Sequence, residues 1–161
     1  MDGTTIRLAQ GDDFDWAARL MATSDPWITL GRGYDTCLAA CTVPTDTLEI
    51  AASGGRRCGF VLVRPHGVAG APYIVSIAVD QAFRSHGVGA ALLAHVEAAY
   101  RGRAAHLFLC VSSFNTGART FYQRHEFEEV GRFRDFIIAG ADELLMYKRL
   151  DRPAASTRPS Q

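Results

Sequence analysis

Arg84-Ser85-His86-Gly87-Val88-Gly89-Ala90 stands where the hydrophobic period of the chain changes. Ahead of it, Tyr73 to Val79 is an apolar segment of strand length; behind it, Val88, Leu92, Val96 and Tyr100 recur on one helix face. The seven residues therefore form a strand-to-helix junction, with the helix starting near His86. Glycine at such a junction lets backbone come close to a ligand, because no Cβ intervenes. The free amides of a helix start, reinforced by the helix dipole, attract phosphate. The segment reads either as the corner that holds a phosphate-bearing ligand or as a tight turn with no ligand. Two other phosphate motifs are excluded. A Gly-x-x-x-x-Gly-Lys-Ser/Thr loop is absent, since Lys148, the only lysine in the sequence, lies far downstream. The dinucleotide fingerprint requires a third glycine where Leu92 stands.

Working outward, Thr5 to Ala9 alternates as a first strand, and Asp12 or Asp13 is placed to cap a helix carrying Phe14, Trp16, Ala17 and Leu20. After a turn at Ser24-Asp25-Pro26, the segment from Trp27 to about Cys41 reads as a second helix weakened by Gly31 and Gly33. Thr47 to Ala52, Cys58 to Arg64 and Tyr73 to Val79 follow as strands, separated by turns at Gly54-Gly55 and between Pro65 and Pro72. Beyond the glycine junction, His106 to Val111 is a buried strand, and Asn115 caps a helix in which Ala118, Phe121, Tyr122 and His125 share a face. Phe127 to Phe133 and Glu143 to Leu150 complete the set. The order predicts an α/β fold, about seven strands in one mixed sheet flanked by four helices. Residues 1–150 form one domain, and the polar tail from Asp151 to Gln161 is expected to be disordered.

Composition narrows the function. The 161 residues are 48% hydrophobic and 21% charged, as in ordinary globular domains. Seventeen basic residues balance seventeen acidic ones, which argues against nucleic acid or an anionic membrane as partner. Cys37, Cys41, Cys58 and Cys110 are too scattered for a disulfide framework, and no zinc pattern completes them, so no metal is expected. No apolar run spans a bilayer and Met1 to Thr5 is unlike a signal peptide, so a cytoplasmic protein is expected, as monomer or homodimer.

Arg84-x-x-Gly87-x-Gly89-Ala90 after Ser76-Ile77-Ala78-Val79 resembles the acetyl-CoA signature of the GNAT superfamily of N-acetyltransferases. Asn115-x-x-Ala118-x-x-Phe121-Tyr122, with Phe127 and Gly131 beyond, is similar to its second signature; the resemblance covers roughly residues 5 to 150. It implies a GNAT-like fold with acetyl-CoA as co-substrate. The backbone of Ile77, Ala78 and Val79 would then pair with the pantetheine arm. Arg84 would open the pyrophosphate loop, and the amides of Ser85, His86, Gly87, Val88, Gly89 and Ala90 would cradle the phosphates. Asn115 would bond the pantetheine side, and Tyr122 would serve as general acid at the thioester sulfur. Two departures stand out. Glu126-Phe127 replaces the usual Gly-Phe, so the helix is expected to end without its left-handed glycine. Cys110 stands where the ribosomal-protein-acetylating branch carries a catalytic glutamate, and a thiol in a buried strand behaves as a small hydrophobe.

An acceptor amine is protonated at neutral pH and needs a base before it can attack a thioester. Glu49, Glu143, Asp135 and His66 are the candidates, with Glu143 preferred because it opens the last strand beside the hairpin loop. Trp27 reads as a wall of the acceptor pocket or as packing of an amphipathic segment. The resulting expectation is direct acetyl transfer to a primary amine of a small molecule. Its alternatives are acetylation of a protein N-terminus or lysine, and a non-catalytic acyl-CoA sensor.

Overall fold

A computed structural model describes residues 3–150, so the expected disordered tail lies outside the described residues. The chain runs β1 (Thr5–Leu8), α1 (Asp13–Ala22), α2 (Tyr34–Cys41), β2 (Thr47–Ser53), β3 (Arg56–Arg64) and β4 (Tyr73–Val79). It continues through α3 (Val88–Tyr100), β5 (His106–Ser112), α4 (Thr116–Arg124), β6 (Glu128–Phe133) and β7 (Glu143–Arg149). The seven strands form one sheet in the order β1-β2-β3-β4-β5-β7-β6. Every neighbouring pair is antiparallel except β4 and β5. The mixed sheet with four helices matches the expected fold class.

Strand alternation sorts the side chains into two layers. Val61, Ile74, Leu107, Leu109, Leu144 and Met146 form one core with α3 and α4. Leu48, Ile50, Phe60 and Leu62 form the other with α1 and α2. Gly59 of β3 makes the first layer possible: a Cβ there would lie 2.8 Å from the Ala78 carbonyl oxygen and against Val88 and Leu92 of α3. On the same side, Lys148 reaches Glu97 at 3.0 Å and Glu126 at 3.5 Å, and its side chain is only 13% exposed.

Two local expectations are corrected. The second helix begins at Tyr34, not Trp27. The Gly31 amide bonds the Ile28 carbonyl and the Arg32 amide bonds that of Trp27. With Gly31 at φ 71°, this is the closing geometry of a helix end, and the chain restarts at Gly33. Neither Asp12 nor Asp13 caps α1 through its side chain. Asp13 instead turns inward, where its carboxylate accepts from Arg7 at 2.6 Å, Arg57 at 2.7 Å and the Gln10 amide at 2.9 Å.

The end of α4 lacks a left-handed glycine, as expected. Its left-handed position survives without glycine, because Glu126 itself takes φ 68°. The Phe127 amide bonds the Tyr122 carbonyl and the Glu126 amide that of Gln123, closing the helix. A side chain in that conformation costs about 1–2 kcal/mol, partly offset because glycine would add freedom to the unfolded chain. Glu126→Gly is therefore expected to raise stability by about 0.5–1 kcal/mol, read as a higher thermal midpoint; a lower midpoint would contradict this account.

Candidate active site

β4 and β5 pair at only two positions among the described residues, Tyr73 with Phe108 and Ile74 with Leu109. The cause lies one residue further on. Opposite β3, Leu62 faces Ser76 while Val63 faces Ile74, so Val75 is an extra residue in β4. Such a bulge bends its strand and strengthens the local twist. Past it, Ser76 to Val79 stay paired with β3 while the opposite edge parts from β5. The result is a wedge-shaped slot whose one side is the open backbone edge of β4, including Ile77, Ala78 and Val79. An extended ligand can add there as a strand would.

At the wide end of the slot lies the glycine junction. Ser85 and Gly87 both have positive φ, 64° and 80°, so the backbone folds into a concave turn before α3. No side chain caps the helix, and the Ala91 amide is the first to bond back, to Gly87. The amides of Val88, Gly89 and Ala90 are thus available to an anion. His86 folds back on the loop, donating from Nδ1 to the Arg84 carbonyl at 2.8 Å. The two glycines serve different ends. Gly87 has open space around it and is required for its backbone angle, whereas a Cβ at Gly89 would stand 3.2 Å from the Phe121 ring of α4. Asn115 caps α4, its Oδ1 accepting from the Ala118 amide at 3.3 Å, which leaves its NH2 group to donate elsewhere.

The expected acid and base lie on opposite sides of the sheet at this slot. Tyr122 is 8% exposed and packs in the core that includes Leu109 and Val111 of β5. Burial alone drives its phenol far above the ordinary tyrosine range, so it stays protonated. Glu143 is 6% exposed on the other side, directly opposite Ser112 in the β5–β7 register. The Ser112 hydroxyl donates to Glu143 Oε1 at 2.5 Å, and no arginine, lysine or histidine pairs with this carboxylate among the described residues.

Tyr73 and Cys110 complete the cluster; burial raises both groups above their usual ranges, and the charge of Glu143 adds to it. Sequence reasoning passed over Tyr73 and Ser112, whose meeting with Cys110 and Glu143 depends on strand register. Burial pushes the Cys110 thiol above its usual range. No acetyl-enzyme is therefore expected. Labelled acetyl retained on denatured protein through Cys110 would reveal a ping-pong route instead.

The remaining candidates are engaged elsewhere. Glu49 meets His95 of α3 at 2.9 Å, two strands away from the slot. Asp135, at φ 47°, closes the β6–β7 loop by accepting from the Gly140 amide. His66 is exposed in the turn before β4. Trp27 is 7% exposed within the core under α1 and α2, while its neighbour Ile28 faces solvent.

The model of the acetyltransferase (GNAT) family matches residues 14–127, and the chain belongs to that family of N-acetyltransferases. No curated protein matches the sequence. Among solved structures, the ribosomal-protein-S18-alanine N-acetyltransferase of Escherichia coli superposes with a TM-score of 0.74 at 20% identity, covering 97% of this chain and 99% of that one. An aminoglycoside 6′-N-acetyltransferase complexed with coenzyme A superposes with a TM-score of 0.74 at 14% identity, over 97% and 99%. Nourseothricin acetyltransferase is 30% identical over 67% of each chain, with a TM-score of 0.61. The chain has no helix long and apolar enough to cross a membrane among the described residues.

Proposed function

We propose that this protein is a cytoplasmic enzyme that moves an acetyl group from acetyl-CoA directly to a primary amine of a small molecule. The observation that carries the reading is the slot between β4 and β5, with a buried phenol on its helical side and a buried carboxylate on the other. The pantetheine arm runs along the open edge of Ile77, Ala78 and Val79. The amides from Ser85 to Ala90 hold the pyrophosphate behind Arg84, and the Asn115 NH2 group donates to the arm. Glu143 takes one proton from the acceptor ammonium, the amine adds to the thioester carbonyl, and the carbon–sulfur bond breaks as the nitrogen loses its second proton, which leaves with the sulfur as the CoA thiol while the amide forms. Tyr122 donates a hydrogen bond to the leaving sulfur as negative charge develops there. Trp27 enters only as packing beneath the α1–α2 connection.

Acetyl-CoA at a hundredfold excess over its dissociation constant is expected to stabilise the fold by about 2.7 kcal/mol. Gly87→Val removes this gain, because a branched residue at φ 80° displaces the loop backbone. Gly87 is the sharper probe, since a side chain at Gly89 also disturbs Phe121. A well-folded protein with no melting shift at millimolar acetyl-CoA overturns the reading. A panel of amines, with CoA release followed by a thiol reagent, then separates the alternatives. Turnover of small amines supports the proposal, turnover of peptides alone replaces it with protein acetylation, and a shift without any turnover marks a sensor.

A further inference from the structure

Two serines meet two acids where β5 ends and β7 begins, and their side chains divide the work. Ser113 fastens the strand ends: its amide donates to the Asp142 carbonyl at 2.8 Å, and its Oγ accepts from the Asp142 amide at 3.0 Å. The Asp142 carboxylate is engaged by Arg132 at 3.3 Å and by the Asp135 amide at 3.1 Å. Ser112 makes no such tie to backbone with its hydroxyl. It stands directly opposite Glu143 on the same face of the sheet and is 3% exposed. Its one side-chain hydrogen bond among the described residues goes to Glu143 Oε1. Glu143 Oε2 receives no hydrogen bond among the described residues, yet it is not sealed from the surface. One carboxylate oxygen is held, and the other is free to take a proton.

Burial favours the protonated form of a carboxyl group, whereas a hydroxyl that donates to the ionised form favours the charge. The surroundings of Glu143 offer no second donor of this kind among the described residues. Phe133, opposite it on β6, has none. Tyr73 of β4 and Cys110 of β5 are raised by burial, with the charge of Glu143 adding to it, so both are neutral at neutral pH. Glu128, opposite Tyr147, and Arg149, opposite His106, lie four and six residues along the strands, roughly 13 and 20 Å away. Ser112 is left as the group that holds this carboxylate both ionised and still.

We propose that Ser112 is a positioning residue for the base and acts only through Glu143: its hydroxyl fixes Oε1, keeps the carboxylate ionised and leaves Oε2 to accept a proton from the acceptor ammonium. This rests on the N-acetyltransferase reading. The first test needs no acceptor. With glutamate labelled isotopically at the carboxyl carbon, NMR follows the Glu143 resonance, identified by its absence from Glu143→Gln. Its titration midpoint should rise by about one pH unit in Ser112→Ala. It should return toward the wild-type position in Ser112→Thr and stay there in Ser113→Ala, which loses only stability. Ser112→Ala removes a single atom, so it keeps the fold if Ser112→Thr does not. The second test is the pH profile of kcat/KM with acetyl-CoA and the best amine of the panel. In Ser112→Ala the acid limb should move up by the same amount, with plateau kcat about tenfold lower and the KM for acetyl-CoA unchanged. Added to Glu143→Gln, the same substitution should cost about twofold at most. An unmoved midpoint overturns the proposal, as does a full further loss in the double variant. A moved midpoint beside a wild-type kinetic profile overturns it too. Wild-type turnover by Glu143→Gln removes the base and its positioning residue together. Loss in Glu143→Gln beside an unaltered Ser112→Ala removes Ser112 alone. Should no amine be turned over, the transferase reading falls, and the midpoint alone decides whether Ser112 governs the charge of Glu143.

Discussion

Tyr122→Phe is expected to lower turnover roughly ten- to a thousandfold while acetyl-CoA affinity stays within a few fold. The substitution keeps the ring, and with it the edge contacts to Phe121 and Phe127 at 5.5 and 5.9 Å. Only the hydroxyl is lost. Burial drives that phenol well above its ordinary range, so full proton transfer to a thiolate of pKa about 8.5 runs uphill. Its contribution is a hydrogen bond to the charge that develops on sulfur, as in an oxyanion hole. The same burial keeps the donor protonated in mildly alkaline solution, so the wild-type rate should show no loss below about pH 10 from this group. Steady-state kinetics with chemistry rate-limiting decide the matter. An unchanged kcat in the variant would reduce Tyr122 to a packed aromatic.

Asp13→Ala is expected to cost about 3 kcal/mol, which lowers the thermal midpoint of a domain this size by roughly 6–12 °C. The carboxylate is buried, and its removal leaves Arg7 and Arg57 facing each other without the charge that joins them. Both arginines are partly exposed, which keeps the loss at the lower end for a broken buried pair. Arg7, more than the Gln10 amide and Arg57, holds the Asp13 carboxyl at about 2, below its ordinary 3.8. A lowered folded-state pKa contributes stability that is complete above pH 3.8 and is lost as pH falls through 2. The wild type should therefore lose stability over that window, and Asp13→Ala should lose less there. Parallel acid-unfolding curves for the two proteins would refute the linkage.

Periodicity made the order of elements legible, because each strand and helix declares itself over a few residues. Which strands become neighbours did not show. β7 inserts between β5 and β6, and only that insertion brings Glu143 against Ser112 and sets both beside Cys110. Glu143 was thus nameable from its place at a strand start, whereas Ser112 and Tyr73 carried no local signal. The glycines illustrate the same limit. Gly87 is legible as a loop residue, but the reason for Gly59 is the approach of α3, and Gly89 is crowded by a ring from α4. Both causes lie far away in the sequence. At Glu126 no glycine stands in the left-handed position, yet a complete set of helix-closing hydrogen bonds and the Tyr122–Phe127 contact hold a non-glycine residue there.

Lys148 is the chain's single lysine, and Glu97 and Glu126 hold its ammonium on the helical side of the sheet. The other sixteen basic side chains are arginines, which do not accept acetyl groups from a thioester under ordinary conditions. A protein that stores an activated acyl group beside its own surface risks marking itself during long residence of the donor. Here no exposed ε-amine stands ready as a bystander, so slow self-acylation of lysine has no outlet. The same scarcity governs bench chemistry. Succinimide esters aimed at lysine will leave this surface nearly blank, and tethering or cross-linking the enzyme calls for thiol chemistry at a cysteine introduced for that purpose.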